Sequence, residues 1–347
     1  MRFGQLGRRE FITLVGGAAA AWPLATGAQQ PAGMIGGAPR SNAQNSPKIF
    51  TVGILTAGTP AMSGALNEAF ERGLNELGYK NGQNIVIERV FAEGRLERLP
   101  ALASELVAHN VDVLFAPTAA AVVAAQKATQ SIPIVFALVT DPVGEGFVKT
   151  LSVPGGNATG LTTISVDLAA KRLELLKEAF PEVSRVGVLY FQVYPGVKLQ
   201  LEEITRAATI LGNTVESEES TSPEDFSRAF ESMKDRHSDG YLVIENPMFF
   251  ANRLRITELA AQTMRPAIYG ASEYVDAGGL MSYGANYSER YKQAAQYVVK
   301  ILNGQHPETL PVAQPTKFEL VLNMKTAKAF GIKIPQSILM RVDRMIE

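Results

Sequence analysis

Short apolar runs alternate with segments of helical periodicity along most of this chain, and this alternation restricts the folds that the chain can adopt. Runs typical of strands occupy residues 48–55, 84–91, 111–115 and 132–139. Each of the first three is followed by apolar residues spaced three and four apart, the pattern of an amphipathic helix. Such alternation predicts a parallel sheet covered by helices on both faces. Right-handed crossovers bring the carboxyl ends of its strands to one edge.

The same pattern restarts after Gly160 and predicts a second α/β unit. Its strands are predicted at residues 185–191, 214–218, 240–244 and 267–269, with helices between them. A chain of 347 residues is long enough for two such domains. Two more strands, at residues 278–284 and 318–322, come too late for two consecutive units. They predict that the chain crosses between the units near residue 280 and again near 315.

The N-terminal 28 residues have the pattern of a secretory signal peptide. Arg8 and Arg9 precede an apolar run at residues 14–25, and small residues follow. The paired arginines before Phe11 resemble a twin-arginine export signal, with the general secretory route as the alternative. The apolar run is shorter than the about 20 residues that span a bilayer, which argues against a membrane anchor. Residues 29–47, rich in Gly, Ala, Pro, Ser, Asn and Gln, are predicted to be a flexible linker.

Composition excludes several classes of function. The chain has no cysteine, so it has neither disulfides nor a lipid attached through an N-terminal cysteine. A net charge of −1 and the absence of a Lys/Arg cluster in the body argue against nucleic-acid binding. The three histidines are scattered, and the body lacks the HExxH, GxSxG and GxGxxG motifs. We therefore expect no enzyme activity, no cofactor and no metal.

Polar and aromatic residues at the predicted carboxyl ends of strands are the candidate ligand contacts. Thr56, Gly58 and Thr118 can hold a carboxylate beside helix N-termini, although helix capping is an alternative role. Asp141 can pair with a ligand ammonium, although Asp-Pro is also a turn signal. The complete candidate set is Thr56, Gly58, Thr118, Thr140, Asp141, Tyr190, Phe191, Tyr194, Glu245, Asn246, Tyr269, Ser272 and Tyr283.

A breaker-rich stretch at residues 154–160 follows the fourth predicted strand and is interpreted as a hinge. Pro154-Gly155-Gly156-Asn157 cannot continue a helix or a central strand. It is only superficially like a phosphate loop, because it lacks the Gly-Lys-Ser/Thr ending. The predicted hinge residues are Gly155, Gly156, Asn157 and Gly284.

Several segments resemble the tryptophan-binding-like family of ABC-transporter substrate-binding proteins. They lie at residues 52–55, 84–88, 111–113, 132–136, 141–143, 154–160, 278–284, 314–323 and 334–337. The run at 141–160 and the Gly-Gly-Leu-Met-Ser-Tyr-Gly segment at 278–284 are specific when found together. The resemblance covers residues 48–347. At residues 190–195 the chain departs from it, reading Tyr-Phe-Gln-Val-Tyr-Pro where the family often has Asn-Pro.

The resemblance implies a type I periplasmic binding protein, with two doubly wound α/β domains, a hinge of several crossovers and a ligand between the domains. The expected lobes are residues 48–156 plus 285–314, and 157–284 plus 315–347. The expected function is an exported, periplasmic, monomeric solute-binding component of an ABC importer. It would bind an aromatic amino acid or related small carboxylate and deliver it to an inner-membrane permease.

Two alternatives of different classes remain open at this level. One is an α/β enzyme acting on a small molecule, which the missing phosphate-binding fingerprint disfavours. The other is a ligand-binding sensor of the same fold, such as a sugar-repressor-like regulator. A regulator of that kind needs a DNA-binding helix pair before Lys48, where this chain has a signal peptide and a linker.

Overall fold

Two separate β-sheets make up the fold, as the sequence predicts. The structure, a computed structural model, describes residues 48–192 and 195–347 of the chain. The predicted signal peptide, the predicted linker and the candidate residue Tyr194 lie outside the described residues. Within the described part, the sheets contain five and seven strands.

The first sheet is entirely parallel. Its strands are β1 (Phe50–Thr56), β2 (Ile85–Phe91), β3 (Val113–Phe115), β4 (Ile134–Val139) and β5 (Ala158–Thr162), and its intervening helices are α1 (Pro60–Glu76), α2 (Leu99–Ala108) and α3 (Ala119–Ala128). The strand order is β2-β1-β3-β4-β5. Strand β1 pairs with both of its neighbours, so that Val52 lies opposite Ile87 on one side and Val113 on the other.

The second sheet has one antiparallel pair among parallel strands. Its strands are β6 (Arg185–Tyr190), β7 (Thr214–Glu219), β8 (Gly240–Val243), β9 (Ala267–Tyr269), β10 (Met281–Gly284), β11 (Glu319–Asn323) and β12 (Arg344–Ile346). The remaining helices are α4 (Ser165–Ala179), α5 (Pro195–Leu211), α6 (Asp225–Asp235), α7 (Pro247–Ala251), α8 (Arg253–Gln262), α9 (Ser272–Asp276), α10 (Tyr287–Leu302), α11 (Met324–Ala329) and α12 (Gln336–Leu339). The order is β12-β11-β10-β9-β8-β6-β7, and β10 and β11 run antiparallel.

Helix α1 shows how local sequence signals set an element beside the sheet. Thr59 caps its N-terminus by accepting a hydrogen bond from the Met62 N–H at 3.3 Å, and a proline occupies the first helical position. Leu66, Phe70 and Leu74 bury one face of the helix. The Phe70 ring stacks on Phe115 of β3 at 4.3 Å. The buried stripe therefore fixes the helix on the sheet and holds its N-terminus beside the end of β1.

Both faces of the first sheet are covered, which explains its continuous apolar strands. Successive residues of a strand point to opposite faces. In β4, Val135 packs into one apolar cluster and Phe136 into another, and both side chains are fully buried. A strand buried on both faces needs an apolar residue at every position, because each face is removed from water.

Within residues 48–192 and 195–347, the chain passes between the sheets three times. The first passage follows β5, because α4 begins three residues later and packs on β8, β9 and β10. The second follows β10, because α10 packs on α1 and β4 of the first sheet. The third lies at residues 314–318, between Ala313, which bridges to Leu161, and β11 of the second sheet. The last two passages lie where the sequence predicts them.

The predicted hinge residues 155–157 lie in a loop between two strands of one sheet. Strands β4 and β5, which flank this loop, are hydrogen-bonded neighbours in the first sheet. Asn157 Nδ2 donates to the Thr129 and Ile132 carbonyls, and the Gly155 N–H donates to the Glu308 carbonyl. The first passage lies after Thr162, so β5 belongs to the first sheet although the prediction placed its residues in the second lobe. Gly284, by contrast, ends β10 directly before the second passage.

No helix within residues 48–192 and 195–347 combines the length and the apolar character needed to cross a membrane.

Two of the predicted hinge residues, Gly284 and Gly156, give a test of backbone packing. A Cβ at Gly284 would lie 1.8 Å from the Gly270 carbonyl oxygen, whereas a Cβ at Gly156 would meet no atom within 4 Å. We expect Gly284→Ala to lower the free energy of unfolding by about 1–3 kcal/mol, because the overpacked strands must separate. Gly156→Ala should change it by less than about 0.5 kcal/mol. Urea denaturation measures both, and equal stabilities would contradict the close approach.

Candidate functional site

A pocket lies where the carboxyl ends of the two sheets face each other. Its first-sheet side is formed by residues that end or follow β1, β3 and β4, together with α1 and α10. Its second-sheet side is formed by α5, α7, α9 and the residues after β8. Its lining includes Thr56, Gly58, Leu66, Thr118, Leu138, Thr140, Glu145, Gly196, Gln200, Glu245, Asn246, Phe250, Tyr274, Tyr287 and Tyr291. Ligands of open α/β sheets bind at such edges.

One wall of the pocket is aromatic. The Phe250 ring lies 5.6 Å from the Tyr287 ring and 6.2 Å from the Tyr274 ring. Tyr274 stacks on the buried Tyr269 at 4.8 Å, which holds its ring in place. Tyr291 packs edge-on against Phe115 at 5.1 Å. These rings offer a flat apolar group a rigid surface on which to stack.

Five buried oxygens that line the pocket have no hydrogen-bond partner among the described residues. They are Thr56 Oγ1, Thr118 Oγ1, Glu145 Oε2, Gln200 Oε1 and the Tyr274 hydroxyl oxygen. Buried polar atoms in native proteins are normally satisfied, since an unmade bond costs about 1–3 kcal/mol. Their concentration around one pocket indicates that a polar solute is their partner.

Helix N-termini supply positive potential to this pocket from both sheets. Thr59 caps α1, and Asn246 caps α7 by accepting from the Met248 N–H at 2.7 Å. Thr118 stands at the same position before α3, but its side chain makes no capping bond. None of the described lining residues is Lys, Arg or His. A carboxylate here would therefore be held by hydroxyls, N–H groups and helix dipoles.

A buried ion pair forms the base of the second-sheet side. Arg172 Nη2 donates to Glu245 Oε1 at 2.8 Å, and the two side chains are 1% and 11% exposed. Arg172 Nε donates to the Tyr283 carbonyl at 2.8 Å. The Ser165 hydroxyl donates to Glu245 Oε2, and the Tyr287 hydroxyl hydrogen-bonds the same carboxylate. Glu245 thus lines the pocket while its charge is neutralised within the protein.

Glu145 is the second carboxylate of the pocket, and it has no cationic partner among the described residues. Burial raises the pKa of Glu145 to about 7, and the charge of Asp141 raises it further, against a hydrogen bond from the Asp141 backbone that lowers it. The cause is desolvation, which disfavours the ionised form. Near neutral pH this group can therefore exist in either form.

Six of the predicted candidates line the pocket together. They are Thr56, Gly58, Thr118, Thr140, Glu245 and Asn246. Sequence order alone brings the first four together, because strand ends meet at one edge of a parallel sheet. Their contact with a ligand stays a prediction.

The other described candidates do not line this pocket. Asp141 Oδ1 accepts from the Gly144 N–H at 2.9 Å and closes the turn after β4. Tyr269 lies buried beneath Tyr274. The remaining members are Tyr190 and Phe191 at the end of β6, Ser272 at the start of α9 and Tyr283 in β10.

Sequence reasoning missed several lining residues. Through Asp141 the sequence predicts that the loop after β4 contributes to the site, but it does not single out Glu145, which lies four residues later in that loop. Tyr287 and Tyr291 stand one helical turn apart on α10, a spacing that equally fits a buried core stripe. Nothing in the local sequence distinguishes Gln200 from a glutamine on the solvent-exposed face of a helix. No group of three or more acidic or histidine side chains in the described part is arranged to hold a metal.

The fold and the pocket define a two-lobed solute-binding protein. The chain belongs to the family of ABC transporter substrate binding proteins, whose sequence profile matches residues 57–346. This membership makes it a solute-binding protein of an ABC transporter rather than an enzyme, as the sequence predicts.

A curated relative is the tyrosine-binding protein of Clostridioides difficile (strain R20291). The two chains are 27% identical over 267 residues, covering 77% of this chain and 76% of the relative.

Two solved structures differ in their likeness to this chain. An ABC domain from Streptococcus pneumonia in complex with L-Trp is 27% identical, with a TM-score of 0.79 over 86% of this chain and 99% of that one. The ligand-free, open structure of a substrate binding protein with adhesive properties from Clostridium difficile is 28% identical at the same coverages, with a TM-score of 0.64. Because identity and coverage are nearly equal, this structure is closer to the L-Trp complex in overall arrangement.

The Arg172–Glu245 pair gives a test of the second-sheet side. We expect Arg172→Met to lower the free energy of unfolding by about 3–5 kcal/mol, because it leaves a buried carboxylate unpaired. Arg341→Met is the matched control, since the Arg341–Glu178 pair has a 2.7 Å bond but is 44% and 37% exposed. It should cost about 1 kcal/mol or less. Denaturant unfolding measures both losses. Equal losses in the two variants would contradict the role of Arg172 as the buried partner of Glu245.

The raised pKa of Glu145 predicts how stability depends on pH. A carboxyl whose pKa rises from 4.5 to about 7 on folding costs stability once pH exceeds 4.5, and the cost is complete above about 7. We expect Glu145→Gln, measured without ligand, to gain about 1–3 kcal/mol over the wild type between pH 4.5 and 8. The difference between the two unfolding curves isolates this residue. Parallel curves would show that its pKa is not raised.

Proposed function

We propose that this chain is the exported solute receptor of an ABC importer and that it captures an aromatic amino acid or a related small carboxylate. The solute binds in the pocket between the two lobes and is then delivered to an inner-membrane permease. The observation that carries this proposal is that unpartnered buried oxygens and an aromatic wall line one and the same pocket.

The pocket offers separate environments to the two ends of such a solute. The hydroxyls of Thr56 and Thr118 and the start of α3 suit a carboxylate, which accepts hydrogen bonds only. Phe250, Tyr274 and Tyr287 suit an aromatic ring. Apolar walls with a few placed polar groups are typical of small-molecule sites.

The names of the relatives support the same class of solute. One is a tyrosine-binding protein, and another was solved with L-Trp. The greater likeness of this chain to the L-Trp complex than to the open, ligand-free structure fits a closed arrangement of the lobes. We infer that the three passages between the sheets act as the hinge, so that solute binding and lobe closure are coupled. We further propose that the receptor works as a monomer.

Export is proposed from the N-terminal residues 1–28, which have the charge and apolar pattern of a signal peptide. The expected destination is the periplasm, reached by the twin-arginine or the general secretory route. Fractionation of cells that express the full chain tests this location, and a protein retained at full length in the cytoplasm would contradict it.

Binding is tested by thermal shift followed by calorimetry. We expect tryptophan, tyrosine or phenylalanine to raise the melting temperature, because a ligand at 100 times its Kd stabilises the folded state by about 2.7 kcal/mol. Sugars should have no effect. A shift with sugars alone would overturn the solute class, and turnover of a bound compound would overturn the receptor function.

Thr118→Val makes this test specific to the pocket. Thr118 makes no capping bond, so its hydroxyl can be removed without loss of a helix cap. We expect about a tenfold loss of affinity from one lost hydrogen bond. Thr209→Val, on the exposed face of α5, is the control and should bind as the wild type does.

A further inference from the structure

The pocket contains a carboxyl group, Glu145, whose negative charge none of the described lining residues neutralises when the group is ionised. Two carboxylates line it, Glu145 and Glu245. Glu245 is neutralised by Arg172 at 2.8 Å, whereas Glu145 has no such partner among the residues described. A solute that carries only a carboxylate would add a second unpaired negative charge to this space. Complementarity therefore demands a positive charge on the solute.

Glu145 faces the opposite lobe. It lies on the loop after β4 of the first sheet, and its Oε1 is 3.7 Å from the position of a Cβ on Gly196. Gly196 belongs to the first turn of α5, which follows β6 of the second sheet. The other oxygen, Oε2, is buried in the pocket and has no hydrogen-bond partner in the described part of the chain.

Gln200 presents a second acceptor from α5. It stands four residues after Gly196, so both lie on the same face of that helix. Its side chain is 1% exposed, and its Oε1 has no partner within the described ranges. The first lobe and the second lobe thus each contribute one buried acceptor to the pocket beside Gly196.

From this geometry we propose that Glu145 and Gln200 form the ammonium subsite of the pocket, so that the receptor selects solutes with a positively charged amine. The inference deepens the proposed function and rests on it. An ammonium has three donors and no acceptor, which matches one carboxylate oxygen and one amide oxygen. Its bond to Glu145 is charge-assisted and therefore strong in a desolvated pocket. Because the acceptors come from opposite lobes, the amine also bridges the lobes.

This subsite rejects solutes that lack the amine. A des-amino acid leaves the buried Glu145 carboxylate and the Gln200 oxygen without partners, and sites that lose such bonds discriminate strongly. Burial removes water from the Glu145 carboxylate and thereby raises its pKa to about 7. The amine takes the place of that water as hydrogen-bond donor. The role assigned to Asp141 from the sequence therefore passes to Glu145, because the Asp141 carboxylate caps a turn.

Calorimetry with three related compounds tests the subsite. The probes are L-tryptophan, tryptamine and 3-indolepropionate, with the matching tyrosine series of L-tyrosine, tyramine and 3-(4-hydroxyphenyl)propionate. We expect the wild type to bind the preferred amino acid about 100-fold more tightly than its propionate. Glu145→Gln should reduce this ratio of affinities, amino acid over propionate, to about 10 or less, because it weakens binding of the amino acid and not of the propionate. Gln200→Met should reduce it about tenfold.

Glu273→Gln is the matched control, because burial raises the pKa of Glu273 to about 7 as well, yet this residue does not line the pocket. It should leave the ratio unchanged. A wild-type ratio near one, or a ratio that folded Glu145→Gln and Gln200→Met both leave unchanged, would overturn the subsite while the proposed solute class stands. Binding of the amines without the amino acids would support the subsite and overturn the solute class. If no compound of either series binds, both proposals fail.

Discussion

The buried Arg172–Glu245 ion pair ties the pocket to the passages between the lobes. Arg172 lies on α4, which follows the first passage, and it also binds the Tyr283 carbonyl beside the second. Ser165, which follows the first passage, and Tyr287, which follows the second, complete the hydrogen bonds of Glu245. Hydrogen bonds to the remaining polar atoms stabilise a buried pair. Of the polar side-chain atoms of this pair, Arg172 Nη1 has no partner among the described residues. The pocket wall and the connecting segments therefore form one polar network.

The two carboxyl groups of the pocket differ in whether the protein itself supplies their partners. Glu245 is fully partnered and gives the second lobe a fixed surface, whereas Glu145 is buried at a cost to the stability of the free protein. Under the proposed function, a solute that brings a positive charge to Glu145 offsets that cost. Such opposition between stability and function is common at binding sites.

The order of strands and helices could be predicted from the sequence because it depends on local periodicity and chain breakers. The short helices α7, α9 and α12 were missed, since four or five residues complete little more than one helical turn, and the three-residue strand β12 was missed as well. Strand β5 was missed for another reason. The Pro-Gly-Gly-Asn stretch indicates a turn, but a turn signal is the same whether the next strand joins the same sheet or the other one. The passage therefore lies after Thr162 and not at Gly155–Asn157.

The sequence by itself determined the parallel α/β architecture, the return crossings near residues 280 and 315 and the family. It also brought Thr56, Thr118 and Thr140 to one edge, because parallel strands share a direction. Only the tertiary structure decided that Glu145 and not Asp141 faces the pocket and that Arg172 reaches Glu245, 73 positions later in the chain. These contacts depend on how segments that are far apart in the chain pack against each other. Local sequence patterns do not reveal which way a side chain points in such packing.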